Sequence, residues 1–362
     1  MRTRRDVLRW LALCGAVRGG TAFAAEPGVH PRALHFPDDH GAHPDTRTEW
    51  WYVTGTLAAG ERLHGFQITF FRSRTGVPAS HPSRFAAQQL VFAHAAVTDL
   101  RGGRLRHDQR IARSGFGIAQ AAEGDADVVL RSWRLRREAV ANGSRYAARA
   151  DSESGRFAFD LSLATTQPVP LQGTNGYSRK GPQPGEASHY YSEPQLAVRG
   201  TLRLDGEPMN VAGTAWLDHE WSDTLLNPEA VGWDWIGMNL DDGSALTAFR
   251  LRRADGSALW AGGSHRPAGE AVRDFSPSEI VFTPGRRWTS AASRATYPVE
   301  WTIDTPAGRF FVKALLDNQE LDSQASTGAV YWEGLSDLLD GSGRRVGRGY
   351  LEMTGYAGVL RL

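Results

Sequence analysis

Residues Trp50-Trp51-Tyr52-Val53-Thr54-Gly55-Thr56-Leu57 align without a gap on Trp233-Asp234-Trp235-Ile236-Gly237-Met238-Asn239-Leu240. A glycine and a leucine follow both segments at equal offsets, Gly60 and Leu63 in one copy, Gly243 and Leu246 in the other. A second pair of segments also matches, Gly213-Thr214-Ala215-Trp216-Leu217-Asp218 against Gly347-Arg348-Gly349-Tyr350-Leu351-Glu352. A chain that repeats both the opening and the closing strand of a unit is expected to build that unit twice, joined near residues 223–231.

The unit is all-β. Residues 157–163, 196–204 and 299–303 alternate apolar and polar side chains, and Asp205-Gly206, Asp242-Gly243 and Asp255-Gly256 separate such runs as turns. Short helical turns are expected only after Asn227-Pro228 and Ser276-Pro277. Residues 165–188, rich in proline and glycine, read as a long loop across one end of a barrel. Closing antiparallel strands into barrels or sandwiches would protect their edges.

The N-terminus reads as a targeting segment, residues 1–24. Arg4-Arg5 precedes a short apolar run, Trp10 to Val17, and Ala22-Phe23-Ala24 is a suitable cleavage site, so export by the twin-arginine route to the periplasm is expected. The 41 basic and 40 acidic residues include five arginines and one aspartate in that segment, leaving 36 and 39, a net charge near −3. No nucleic-acid partner is implied by that balance. The single cysteine, Cys14, lies in the same segment, so neither disulfides nor a thiol nucleophile belong to the mature chain. No other apolar stretch approaches the length of a membrane helix. The remaining 362 − 24 = 338 residues favour two domains, 25–225 and 226–362.

Three acids and a histidine lie among four tryptophans between Trp216 and Trp235, in Trp216-Leu217-Asp218-His219-Glu220-Trp221-Ser222 and Gly232-Trp233-Asp234-Trp235. Tryptophan supplies apolar surface, and Asp, His and Glu are costly to bury unpaired, so the segment forms either a polar knot or a reactive site. In an extended strand Trp216, Asp218 and Glu220 share one face and Leu217, His219 and Trp221 the other. Asp218 falls on Glu352 in the second copy, whereas His219 falls on Met353, which marks Asp218 as scaffold and singles out His219.

Several motifs together resemble the AttH-like family, which includes the carotenoid 1,2-hydratases and many bacterial secreted hydrolases. They are Glu49-Trp50-Trp51-Tyr52, residues 66–72, His94-Ala95-Ala96-Val97-Thr98-Asp99, Tyr190-Tyr191-Ser192 and the two Trp-rich segments above. The resemblance implies two lipocalin-like β-barrels in tandem and an apolar, isoprenoid- or lipid-like ligand. It also implies a catalytic group of a histidine, a tryptophan two residues on and a downstream aspartate, which fall on His219, Trp221 and Asp234. Asp234 would have to approach from the second unit.

Alkene hydration needs an acid, a surface that stabilises a cation, and a base for water. A desolvated carboxylic acid, tryptophan faces and His219 could supply these. Trp51, Gln67, His94, Tyr191, Trp233 and Trp235 are candidates to line the ligand site. Glu49, Arg72, Asp218 and Glu220 read as structural polar residues, with a Glu49 to Arg72 ion pair as one possibility and Arg72 also open as partner to Asp218 and Glu220. His35, Asp38, Asp39, His40, His43 and Asp45 read as a solvated segment, with no metal site expected. No phosphate-binding glycine motif and no G-x-S-x-G elbow is present, so no cofactor is expected and a hydrolase would lack its nucleophile. A cofactor-independent hydratase and a lipid carrier serving an ABC-type envelope transport system remain the leading readings.

Overall fold

The computed structural model describes residues 28–78 and 80–359. The expected targeting segment and Cys14 lie outside them. The chain forms two large antiparallel sheets, one of twelve strands and one of ten. In the first, the opening strand Thr48–Ala59 pairs with Arg62–Arg74 on one side and with the closing strand Glu207–Ser222 on the other. Placing the first and last strands of a unit side by side is how a meander curls on itself. The far edge comes round against Gln89–Asp99 and Arg104–Arg113, nearly closing a barrel. The second sheet repeats the plan, with the opening strand Gly232–Leu240 between Ala245–Arg252 and the closing strand Arg345–Met353.

The repeat found in the sequence is also a repeat of register. Trp51 faces His219 across the first strand pair, and Asp234 faces Met353 across the second. Tyr52 faces Asp218 as Trp235 faces Glu352. Because side chains alternate with a period of two, equal register sends equivalent residues to equivalent faces.

One face of each opening strand fills its own barrel: Trp51, Val53 and Leu57 enter the first core, Ile236, Met238 and Leu240 the second. The other face forms a shared aromatic layer between the barrels, where Tyr52, Trp216, Trp235, Leu335 and Tyr350 cluster. Tyr52 and Trp216 meet Trp235 edge to face at centroid separations of 5.3 and 6.3 Å. Such geometry favours the ring quadrupoles and contributes roughly 0.5–1.5 kcal/mol per pair beyond burial.

Residues 165–188 leave the first barrel and strap the second. Gln167 donates to the Gly243 carbonyl (2.8 Å), the Gly173 N–H to Asp274 (3.1 Å), and Trp260 to the Arg179 carbonyl (3.0 Å). Within the strap Tyr177–Arg179 is a short strand on Ala187–Leu204. The only helical elements among the described residues are two 3-10 turns, Asp38–His40 and Pro277–Glu279. The second follows Ser276-Pro277 as expected, with a Ser276 to Glu279 capping box. At Asn227-Pro228 there is a turn and no helix, the Ala230 N–H reaching the Asn227 carbonyl at 2.9 Å. None of the described helices is long and apolar enough to cross a membrane.

The shared layer is packed tightly at Gly237, where a Cβ would overlap the ring of Trp235 and lie 3.2 Å from that of Trp216. Gly237→Ala should therefore lower stability by about 1–3 kcal/mol in urea unfolding. An unchanged midpoint would mean that the layer yields freely.

Candidate functional site

His219 is wholly buried inside the first barrel. Trp51 stacks on it at 4.6 Å between centroids, and its Nε2 lies 2.9 Å from Glu49 Oε1. Glu49 Oε2 accepts from Arg72 Nε at 2.6 Å, so the ion pair suggested by the sequence is present. Burial opposes Glu49's charge, but hydrogen bonds from His219 and His43 and the charge of Arg72 hold its carboxyl well below the usual range. The segment expected to be solvated is so only at His35, Asp38 and Asp45, and the rest is tucked into this barrel. Asp39 and His40 are buried, Asp39 is paired with Arg32, and His43 stacks on Trp221 at 3.8 Å. Tyr191 bridges the His40 and His219 rings at 2.8 and 3.2 Å.

The structure does not bring Asp234 to this group. Its side chain points into the second barrel, where it accepts from Arg250 (2.8 Å) and Tyr356 (2.8 Å), with Arg252 3.7 Å away. The cause is the shared register: Asp234 occupies the place of Trp51, an interior position, and the two interiors lie on opposite sides of the aromatic layer. His219 with Trp221 and Asp234 with its arginines are thus two separate buried clusters.

A cavity of about 120 Å³ lies between the barrels instead, walled by the outward faces of both opening and closing strands. Trp50, Tyr52, Phe71 and Tyr190 from the first unit and Trp233, Trp235, Phe249 and Tyr331 from the second supply its rings. Asp218, Glu220, Glu333 and Glu352 are its carboxyl groups and Lys180 its one cationic side chain. Asp218 accepts from Tyr190 (2.8 Å), Ser192 (2.6 Å) and Trp216 (2.7 Å). Glu220 pairs with Lys180 at 3.3 Å, and Lys180 also donates to Ser222 at 2.8 Å. Neither acid meets Arg72, which is committed to Glu49 on the far side of the sheet. Glu333 accepts from the Tyr52 hydroxyl and from Gln67 at 3.0 Å.

Burial in this aromatic space favours the neutral acids. It pushes Asp218 up to about 7 in spite of its three hydrogen bonds. It pushes Glu352 up to about 7 as well, aided by the charges of Asp218 and Glu220. Glu333, directly opposite Glu352 across the strand pair, is raised well above the carboxylate range by burial and then by that neighbour. Burial lowers the Lys180 ammonium, against the pull of Glu220. Two buried polar atoms on the wall have no partner, Ser188 Oγ and Gln67 Oε1. Orphaned acceptors and donors of this kind are costly unless a ligand or water meets them.

Of the residues expected to line a ligand site, Gln67, Trp233 and Trp235 reach the cavity. Trp51 and Tyr191 face the first barrel interior with His219. His94 stands behind the wall, 2.8 Å from the Tyr331 hydroxyl and 2.9 Å from Ser326, and burial lowers its pKa to about 3. Asp218 and Glu220, read as structural, are on the cavity. Sequence reasoning missed Glu333, Tyr331 and Lys180. The signal that could have found the acids was the alignment of Asp218 with Glu352: two barrels packed by equivalent faces turn equivalent residues toward one another.

Tandem lipocalin-like barrels with an aromatic-walled cavity in their seam define the class of this molecule. The AttH-like family profile matches residues 27–356, and the chain belongs to that family. A protein from Nitrosomonas europaea assigned provisionally to AttH is 48% identical, with a TM-score of 0.83 over 91% of this chain and 99% of that one. Kievitone hydratase from Nectria haematococca is 16% identical, with a TM-score of 0.68 over 92% of this chain and 98% of that one. CghA is 13% identical at a TM-score of 0.54, covering 90% and 94%. At these lower identities the likeness is one of fold. No curated protein sequence matches.

The raised acids give a stability signature. An acid whose pKa rises from its ordinary 4.5 to about 7 on folding contributes stability that is complete below 4.5 and lost as pH rises through 7. Glu352→Gln, which stays neutral beside Glu333, Asp218, Glu220 and Lys180, should match the wild type near pH 5. By pH 8 it should exceed it by roughly 1–3 kcal/mol. Urea unfolding at both values checks this, and a difference independent of pH would place Glu352 in an ordinary environment.

Proposed function

We propose that this protein is a cofactor-independent hydratase of an apolar, isoprenoid- or lipid-like substrate, and that its chemistry takes place in the cavity between the barrels. The observation that carries this reading is the pairing of desolvated carboxyl groups with tryptophan faces in the seam between the barrels. Alkene hydration begins with protonation of a double bond, and Glu333, kept neutral by its surroundings, is suited to give that proton. The cation left behind is stabilised by the quadrupoles of Trp50, Trp233 and Trp235. Asp218, fixed by Tyr190, Ser192 and Trp216, faces the same space from the first barrel and is placed to orient water and take its proton. Proton transfer by positioned groups contributes about 100- to 10,000-fold. Ser188 Oγ and Gln67 Oε1 offer hydrogen bonds to a polar group at one end of the substrate.

Kievitone hydratase shares the fold, which supports the reaction class. The export signal read in residues 1–24 supports a periplasmic setting for the reaction. His219 and Trp221, the pair indicated by the hydratases, stand inside the first barrel, and His219 shares its strand with Asp218.

The test starts from lipids that copurify with the protein from its own host, identified by mass spectrometry and returned to it in ¹⁸O-labelled water. Hydration adds one labelled water. Glu333→Gln should slow this at least 100-fold while lipid still binds. If His219→Ala abolishes hydration and Glu333→Gln does not, the chemistry belongs to the barrel interior. Lipid recovered unlabelled from the wild type overturns the enzyme and leaves a carrier, for which an ABC-type envelope system would be the partner.

A further inference from the structure

Inside the first barrel, well apart from the cavity, three ligand-type atoms converge. His43 Nδ1 lies 2.7 Å and His219 Nε2 2.9 Å from the same oxygen, Glu49 Oε1. All three lie within 4.8 Å of one another. What each ring presents to Glu49 depends on its far nitrogen. His43 Nε2 is 2.8 Å from a carboxylate oxygen of Asp39, and His219 Nδ1 is 3.1 Å from the Asp39 backbone carbonyl. Both oxygens only accept, so each far nitrogen carries its ring's proton. A ring that carries only that proton turns a lone pair toward Glu49, whereas one that carries a second proton donates to it. Convergence of both near nitrogens on one carboxylate oxygen calls for positive charge among them, which a second ring proton or a metal ion supplies.

We propose that His43, Glu49 and His219 bind a divalent transition-metal ion of the zinc class. Two imidazoles and a carboxylate are a donor set that suits such ions, at about 2.0–2.2 Å from each atom. Metal-binding histidines characteristically give their other N–H to a carboxylate or a backbone carbonyl, which fixes the ring. Here one residue, Asp39, does both. The rings are clamped as well, His43 flat on Trp221 at 3.8 Å with planes 4° apart and His219 on Trp51 at 4.6 Å. Arg72 on Glu49 Oε2 leaves Oε1 as the coordinating oxygen. His43 is partly exposed while the other two ligands are buried, which gives the ion an entry path and a position for water. The three ligands come from the N-terminal segment, the opening strand and the closing strand, so the ion would lock that segment into the barrel. The duplication does not predict the site, because Met353 and Gly232 stand where the second copy would need His219 and Glu49.

Chelator-treated full-length protein is titrated with Zn²⁺ alone by calorimetry, and with Co²⁺ alone by visible absorption. Bound metal is counted by mass spectrometry. The expected result is one ion per chain, a thermal midpoint raised by Zn²⁺, and binding at least tenfold weaker in His43→Gln. His81→Gln, at an exposed histidine outside the cluster, should bind as the wild type does. His219→Gln should lose binding too, and His43→Gln keeps the test decisive if that buried variant fails to fold. Wild-type protein that retains no ion, or equal binding by His43→Gln and His81→Gln, overturns the site and leaves a network of shared protons. Metal is counted without substrate, so either outcome is independent of the hydratase reading.

Discussion

Burying one strand on both faces organises this molecule. The closing strand of the first barrel, Glu207–Ser222, sends Leu217 and Trp221 into its own core and Trp216 into the aromatic layer shared with the second barrel. His219 goes with the first set, Asp218 and Glu220 with the second. From Ala215 to Ser222 solvent scarcely reaches either face, so each polar side chain there needs a partner or must give up its charge. The two faces solve that problem in opposite ways. Inside the barrel, Glu49 and Asp39 stay ionised, each paired with an arginine, Arg72 and the solvent-exposed Arg32. In the seam there are more acids than cations, and the surplus becomes neutral.

That difference gives the two regions different chemical characters. The paired cluster inside the barrel is closely packed and opens to solvent only at His43. The seam has space, aromatic walls, proton-bearing carboxyls and two unpartnered polar atoms. Its acids come from both units, so neither barrel could form the site alone. Packing by equivalent faces also makes the cavity roughly symmetric in its chemistry, with Asp218 and Tyr190 on one wall and Glu352 and Tyr331 on the other. Glu333 breaks that symmetry, since Ser192 stands in its place in the first unit. A site that must give a proton on one side and receive one on the other needs such an asymmetry.

Much of the fold was legible in the sequence because strand alternation and register are local properties. Trp50 to Leu57 against Trp233 to Leu240 predicted the tandem barrels, and Trp216 to Trp221 predicted which residues share a face. Glu49 and Arg72 were recognisable as partners because both interrupt strongly apolar strands. The site was less legible. Asp218 was set aside because the second copy also has an acid there, when that recurrence was the mark of two acids meeting across the seam. Asp234 was grouped with His219 through the family resemblance, but an opening strand turns that position inward to a different barrel. The charged N-terminal segment looked like solvated chain, and nothing local distinguishes a hydrated Asp39 or His43 from one that finds buried partners.

The sequence by itself determined the strands, their duplication, the division of their faces and the chemistry available on each, since these follow from side-chain size, polarity and a period of two. Only the tertiary structure decided which outward faces met, and so which carboxyls lost their charge. It also decided which histidines converged on Glu49. Those outcomes depend on distances between residues far apart in the chain, and burial, which sets the state of every ionisable group here, is a property of the assembled barrels and of no single segment.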